Sequence, residues 1–461
     1  MQFARPLHCR DKRTRAVLRL RWLASLGAAL ALLPPLPAWA VPAFARAMGV
    51  PCSTCHTLAF GPALTPYGRN FKLHGYSWAT QKTIPVSADL ITSFTHTSQD
   101  QPATPHFSDN NNLAIDDVDV YLAGRIADNL GAFAQVSYDG IARHTSMGVL
   151  DARYARDFTL GGTATLLGVS VNNFPTVQDP WNSTYAWQFP FPAIRLANEP
   201  APFLQINGAF ATQALGATVY TLIDDIVYLE AGGYRKLSDR VQEDVGIPEP
   251  AAEHGIDGTA PYWRAALQRT IGPNYASVGL IGFAPQAQSP EERNFGTDNY
   301  TDMGYDATYQ FANGGPHTFN FNASYVQESQ RLFAATALGE SDRIANHLNA
   351  LNVSGNYAYL QTYAVTLAYF DIVGNSNAAE FSPGPWFGSA NGSPDSRGYT
   401  LQLECIPFGK ATSFAHPWLN LRIGLQYTGY TRFNGGSTNY DGFGHSAQDN
   451  NTLFLFAWLA I

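Results

Sequence analysis

Three side chains able to hold a metal centre stand within one pentapeptide, Cys52-Ser53-Thr54-Cys55-His56. The spacing C-x-x-C-H is the attachment signature of a c-type haem. Two thiols two residues apart can each add to a vinyl group of one macrocycle. The next residue, His56, then reaches the iron from the same side, where an imidazole nitrogen suits both ferrous and ferric iron. Two other readings compete. A four-ligand zinc site needs a second close pair, and the other cysteines, Cys9 and Cys405, are far apart. A C-x-x-C disulfide has no need of the following histidine. The expectation is one covalent haem c held by Cys52, Cys55 and His56.

The second axial position has few candidate donors. Met48 precedes Cys52 by four residues, and His74 follows it across a short helix-like stretch. Either His74 or Met48 is a candidate axial ligand, and His96 is a more distant one. Each has an ordinary role to set against this, a packed methionine or a hydrogen-bonded histidine. Arg69 and Lys72 are candidates to pair with haem propionates, or are solvated charges.

Elements must position these groups. Short helices are expected at 43–48 and 66–73, with Thr65 as N-cap, Pro66 at the first helical position and Gly75 at the C-terminal end. A unit of about forty residues is marginal on its own. Residues 41–85 therefore read as a haem segment that must lean on the rest of the chain. Ahead of it, Arg5, Arg10, Lys12, Arg13, Arg15, Arg19 and Arg21 stand against Asp11, followed by an apolar run from Leu23 to Leu33 and by Ala38-Trp39-Ala40. Residues 1–40 thus read as a secretory signal cleaved after Ala40, with an uncleaved anchor as the alternative. The apolar run is too short to span a bilayer. Cleavage would take the formal charge from −8 to about −14. No basic excess is left to attract nucleic acid.

Residues 86–461 alternate apolar and polar side chains over stretches of ten or so, the period-2 pattern of strands with one oily and one wet face. Thr318 to Tyr325 and Leu419 to Thr428 are clear cases. About sixteen such stretches follow one another, from 86–98 to 451–461. Short connections such as Asp128-Asn129, Asp224-Asp225, Gly272-Pro273, Asn313-Gly314-Gly315 and Leu360-Gln361 alternate with long ones such as 99–112, 175–213 and 374–395. Short turns on one rim and long loops on the other mark an outer-membrane barrel with its termini in the periplasm. The connection 408–417 is long for the short rim. A soluble all-β electron carrier is the alternative. The fold expected is all-β, a transmembrane antiparallel barrel of about sixteen strands plugged by the small helical segment.

In the last strand Leu453, Leu455, Ala457, Leu459 and Ile461 would face lipid, which puts Phe454, Phe456 and Trp458 in the lumen. An open channel is lined with polar groups, so these three suggest that the haem segment fills it. Lumen-facing acids are expected at Asp117, Asp119, Glu230 and Glu404, with Arg125, Arg264 and Arg422 on the same face. They form either a charge ladder in a wet lumen or hard oxygen donors for divalent cations. Asp100, Asp109, Glu291, Glu292, Asp298 and Asp302 are expected in outer loops, where they would attract cations. Cys405 falls on the lipid side and is expected to be inert.

The chain resembles the fused cytochrome–porins of the bacterial outer membrane. The resembling patch runs from Val41-Pro-Ala-Phe-Ala-Arg46 through Cys52, Cys55, His56 and Thr57 to Leu64-Thr-Pro-Tyr-Gly-Arg69, Phe71-Lys-Leu73 and Gly75-Tyr76, about a tenth of the chain. The resemblance implies one haem within or under a barrel, carrying electrons across the membrane in one polypeptide. The best-known members oxidise ferrous iron outside the cell. It implies an Fe(II):cytochrome c oxidoreductase activity, with extracellular Fe(II) or another reductant as donor and a periplasmic electron-carrier cytochrome as acceptor. The other reading is a diffusion porin whose haem is structural or senses redox state.

Overall fold

The computed structural model describes residues 42–79, 84–184, 190–247, 255–288, 294–312 and 315–461. The expected signal segment 1–40, Glu291, Glu292, Asn313 and Gly314 lie outside the described residues. Period-2 alternation becomes strand after strand: β1 (Val86–Thr97), β2 (Asn112–Ala127), β3 (Leu130–Asp139), β4 (His144–Leu160), β5 (Thr163–Asn172), β6 (Ala214–Ile223), β7 (Val227–Lys236), β8 (Gly255–Ile256) and β9 (Ala260–Ile271). They continue as β10 (Asn274–Phe283), β11 (Gln286–Gln288), β12 (Asp298–Ala312), β13 (His317–Arg331), β14 (Ala345–Tyr359), β15 (Tyr363–Gly374), β16 (Ser396–Cys405), β17 (Asn420–Arg432) and β18 (Thr452–Ala460). β8 and β11 form a small ladder with each other. The other sixteen strands each pair antiparallel with their sequence neighbours, and β1 pairs with both β2 and β18, which closes the barrel.

The outer face carries the apolar half of the alternation. Val120, Leu122, Val219, Leu267, Val278, Leu367 and Leu455 are exposed, as a lipid-facing belt requires. Tyr309, Phe319, Tyr357, Tyr359 and Tyr363, next to short turns, are exposed as well and form an aromatic girdle of the kind barrels place at an interface. No helix among the described residues is long and apolar enough to cross a membrane. The closed ring of strands is itself a geometry that can span a bilayer, because its backbone hydrogen bonds run from strand to strand.

The core of the molecule is the filled lumen. Two insertions occupy it. One is the N-terminal segment, with helices at Pro42–Met48, Cys52–Cys55 and Pro66–Leu73. Thr65 caps the last of these by accepting from the Gly68 N–H at 3.1 Å, and Gly75 follows its end at φ +69°, a conformation suited to glycine. The other insertion is the connection between β5 and β6, whose described residues 173–184 and 190–213 fold inward rather than standing as an outer loop. Trp181 Nε1 donates to Tyr275 Oη at 2.6 Å. The backbone N–H groups of Gln205 and Ile206 donate to Glu328 and Asp302, each at 2.7 Å. Leu204, Ile206 and Phe210 then pack against Tyr234, Tyr262, Ile281 and Phe283 of the inner wall.

The two insertions meet. Lys72 Nζ donates to the Val177 carbonyl. Arg153 of β4 donates to Gln178 and ion-pairs with Asp151, which accepts from Tyr76 Oη at 2.7 Å. Phe454, Phe456 and Trp458 face the lumen as expected. They form one cluster with Ala59 and Phe60 of the N-terminal segment, and the Phe60 and Trp458 rings lie 4.5 Å apart. The long connection on the short-turn rim also contributes, since Arg46 lies over the Trp418 ring at 5.4 Å.

Candidate functional site

Cys52 and Cys55 occupy one helical turn, three residues apart and so on one face. His56 leaves that turn in extended conformation and bridges Leu64. The loop between is clamped shut. Thr65 N–H donates to the Cys55 carbonyl at 2.9 Å, Thr57 N–H to Ala63 at 3.1 Å, and Thr65 Oγ1 to the Thr54 carbonyl at 2.6 Å. Gly68 permits the close contact behind it, because a Cβ there would lie 2.2 Å from the Cys55 carbonyl oxygen.

Cys52, Cys55 and His56 all line one cavity of about 430 Å³ within the barrel. Much of its wall is aromatic: Phe44, Phe60, Phe71, Tyr76, Phe133 and Trp458. Neither cysteine forms a disulfide. Burial pushes Cys52 up to about 11 and Cys55 up to about 12. It pushes the His56 imidazole down to about 4, so the ring stays neutral, the form that offers a lone pair to a metal. The Nδ1 of His56 is buried without a hydrogen-bond partner. Two thiols, a neutral imidazole and an apolar slot on one wall fit a haem c.

Other expected site residues are dispersed. Lys72 lines the cavity, and burial pushes its amine down to about 8. Arg69 turns to the barrel wall, donating to Leu64 and Gln310 and lying 3.9 Å over the Tyr275 ring. Neither Met48 nor His74 lines the cavity. His74 has its Nδ1 2.7 Å from the Asn70 carbonyl and its Nε2 3.3 Å from Asp157, at the short-turn rim. His96 is exposed beside Asn111. Arg125 shares the inward parity of Asp119, Tyr121 and Ala123 but sits at the rim, where it is exposed and pairs with Asp128. Arg264 pairs with Asp179 and Asp306, Arg422 pairs with Glu404, and Glu230 accepts from Thr218 and Tyr228. Asp298 and Asp302 are buried, not surface loop acids: Asp298 accepts from the N–H groups of Ala334 and Ala335, and Asp302 from that of Ile206. Asp100 and Asp109 are exposed at the outer rim, and Cys405 lies on the outward side of β16.

A second cavity, of about 870 Å³, lies on the long-loop side. Gln101, Asp109, Asp139, Arg195, Glu199 and Phe387 are among its walls. Five residues, Asp117, Ser137, Gly148, Phe174 and Thr212, line both cavities. Arg195 bridges Asp117 at 3.0 Å and Asp139. Sequence reasoning missed Asp89, Asp116, Tyr121, Asp139 and Arg195. A register shift in the β1–β2 ladder between Ile91 and Thr92 explains part of this. It lets three acids of β2, at 116, 117 and 119, approach the lumen where strict alternation allows two. Asp89 was legible, since it shares the inward parity of Ile91 and Ser93.

No protein-family model matches the chain, and no curated protein sequence matches it with significance. Among solved structures it is similar to outer-membrane OmpT of Vibrio cholerae, at 11% identity over 83% of this chain and 99% of that one, with a TM-score of 0.42. It is also similar to an anion-selective porin from Comamonas acidovorans, at 12% identity over 81% and 98% with a TM-score of 0.44. OmpF of Salmonella typhi in complex with daunomycin matches at 10% identity over 82% and 97% with a TM-score of 0.47. The barrel itself rests on the chain's own closed ladder of hydrogen bonds.

Proposed function

We propose that this chain is an outer-membrane electron-transfer protein, taking electrons from an extracellular donor, Fe(II) in the first instance, and passing them to a periplasmic electron-carrier cytochrome. The observation that carries the reading is the cavity onto which Cys52, Cys55 and His56 all open, and which shares five wall residues with the outer vestibule. A haem c bound there supplies a one-electron centre. The two thiols would hold it as thioethers, and the His56 imidazole would offer its nitrogen to the iron. The aromatic residues Phe44, Phe60, Phe71, Tyr76, Phe133 and Trp458 give the cavity a largely apolar wall that limits bulk water. The vestibule admits a small donor from the long-loop side, and the short-turn rim is where the segment lies open to a periplasmic partner. The diffusion-porin reading is disfavoured by the lumen, where the N-terminal segment and the inward connection join through Lys72 and Val177.

The test is reconstitution into sealed liposomes with cytochrome c inside and Fe(II) outside. Reduction of the enclosed cytochrome, lost in His56→Ala, is the expected result. Free leakage of large solutes with no electron transfer from Fe(II) or any other external reductant would reject the proposal.

A further inference from the structure

Asp89 of β1 and Asp119 of β2 are directly opposite partners in the ladder, which places their Cβ atoms roughly 5 Å apart. Both are more than nine-tenths buried, at 5% and 7% exposure, and both line the cavity that holds Cys52, Cys55 and His56. Tyr121 Oη lies 3.3 Å from an oxygen of each, and Trp458 Nε1 donates to Asp89 at 3.2 Å. Those contacts use one oxygen of each carboxylate. The other oxygens, Oδ1 of Asp89 and Oδ1 of Asp119, are buried with no hydrogen-bond partner.

No lysine or arginine ion-pairs with either carboxylate among the described residues. Arg195 of the vestibule is engaged by Asp117 and Asp139. Two facing carboxylates in a low-dielectric cavity are costly unless something positive lies between them. A tyrosine hydroxyl has one proton and can donate to one of them at a time. We infer that Asp89 and Asp119 form a binding site for a hydrated divalent cation, with Tyr121 and Trp458 orienting the two carboxylates.

The chemistry favours a hard or borderline divalent ion. Two carboxylate oxygens and waters retained from the cavity make an all-oxygen shell, which suits Fe(II), Mn(II) or Mg(II) rather than a soft ion. Only two protein carboxylates contribute, and no group of three or more His, Cys, Asp or Glu in metal-holding arrangement occurs among the described residues. The site is therefore weak and exchangeable, as a substrate site must be. Asp117, which lines both cavities, marks the way in from the vestibule. The identity of the ion as Fe(II) rests on the proposed function, but the existence of the site does not.

The experiment titrates the haem-loaded full chain, in detergent, with Mn(II), whose EPR signal in water is lost on binding. Wild type is expected to take up one Mn(II) in the barrel. Asp89→Asn combined with Asp119→Asn should weaken it by about ten-fold or more. Asp100→Asn with Glu340→Gln, exposed residues that line neither cavity, should leave it unchanged. If the double variant does not fold, judged by heat-modifiable mobility, Asp119→Asn alone must show the loss. Absence of Mn(II) binding in wild type, as a shared proton would give, overturns the inference, as does undiminished binding in folded Asp119→Asn. Acid–acetone-stable haem absorbance is read on the same samples. Its absence defeats the proposed function while leaving the Mn(II) result to stand or fall by itself.

Discussion

At the scale of single residues, the demand is that two thiols and one imidazole share a wall. One helical turn and an extended residue meet it, because positions three apart lie on one face and the next residue swings out beside them. Replacing Cys52 and Cys55 together with Ala should leave a barrel of normal heat-modifiable mobility whose haem is lost on acid–acetone extraction. Retention of haem by that variant would refute covalent attachment. Gly68 matters for a different reason. Any Cβ there would lie 2.2 Å from the Cys55 carbonyl oxygen, and neither helix can yield without moving the thiols. Gly68→Ala should cost about 1–3 kcal/mol in docking of the segment, read as a lowered urea midpoint of the haem absorbance. An unchanged midpoint would show that the helix Pro66–Leu73 can shift away from Cys55 without cost.

At the scale of elements, the short turns do more than reverse the chain. Leu360 and Gln361 both take positive φ, +55° and +53°, an unfavourable choice for leucine and glutamine in a two-residue hairpin. The return is a latch. Gln361 Oε1 accepts the Ala59 N–H at 2.9 Å, and its Nε2 donates to Thr318 at 3.0 Å. An Asn-Gly pair would suit the turn better and lose the contact. Gln361→Ala removes both bonds and leaves the Ala59 N–H unsatisfied, a cost of about 1–3 kcal/mol. The expected signature is earlier access of trypsin to residues 42–79 in urea, with the barrel's own melting unmoved. Simultaneous loss of both would mean that the segment and the barrel unfold as one unit.

At the scale of the whole molecule, a sixteen-strand ring would enclose an open channel if its lumen were empty. Here the N-terminal segment and the described part of the connection 173–213 both pack into it, each held to the wall and both held to each other. Planar-bilayer recordings of wild type should therefore show conductance well below that of an open sixteen-strand porin. Lys72→Ala, which breaks the tie to Val177, should raise the frequency of brief openings. Steady porin-like conductance in wild type would overturn the plugged lumen and revive the diffusion reading.

How much of this was legible depends on the range of the interaction involved. Period-2 alternation is local, and it located all sixteen long strands to within a few residues. The first stretch, expected at 86–98, is β1 at Val86–Thr97, and the last, expected at 451–461, is β18 at Thr452–Ala460. The Thr65 cap, the Pro66 start and the inward Phe454, Phe456 and Trp458 are also statements about neighbours along the chain, and they hold. The C-x-x-C-H spacing carries the haem reading by itself. What the sequence could not convey was set across the lumen. The inward fold of 173–213 depends on Glu328, Asp302 and Tyr275, which lie tens of residues further along the chain. The bulge that brings Asp116 in with Asp117 and Asp119 is a property of the β1–β2 ladder, invisible in β2 alone. Arg69 and His74, read as neighbours of the haem, lie instead against Tyr275 and Asp157 because helix rotation inside a closed barrel is decided by the wall. Alternation along a strand is dictated by residues two apart. What fills the lumen is dictated by side chains that meet only when the ring closes.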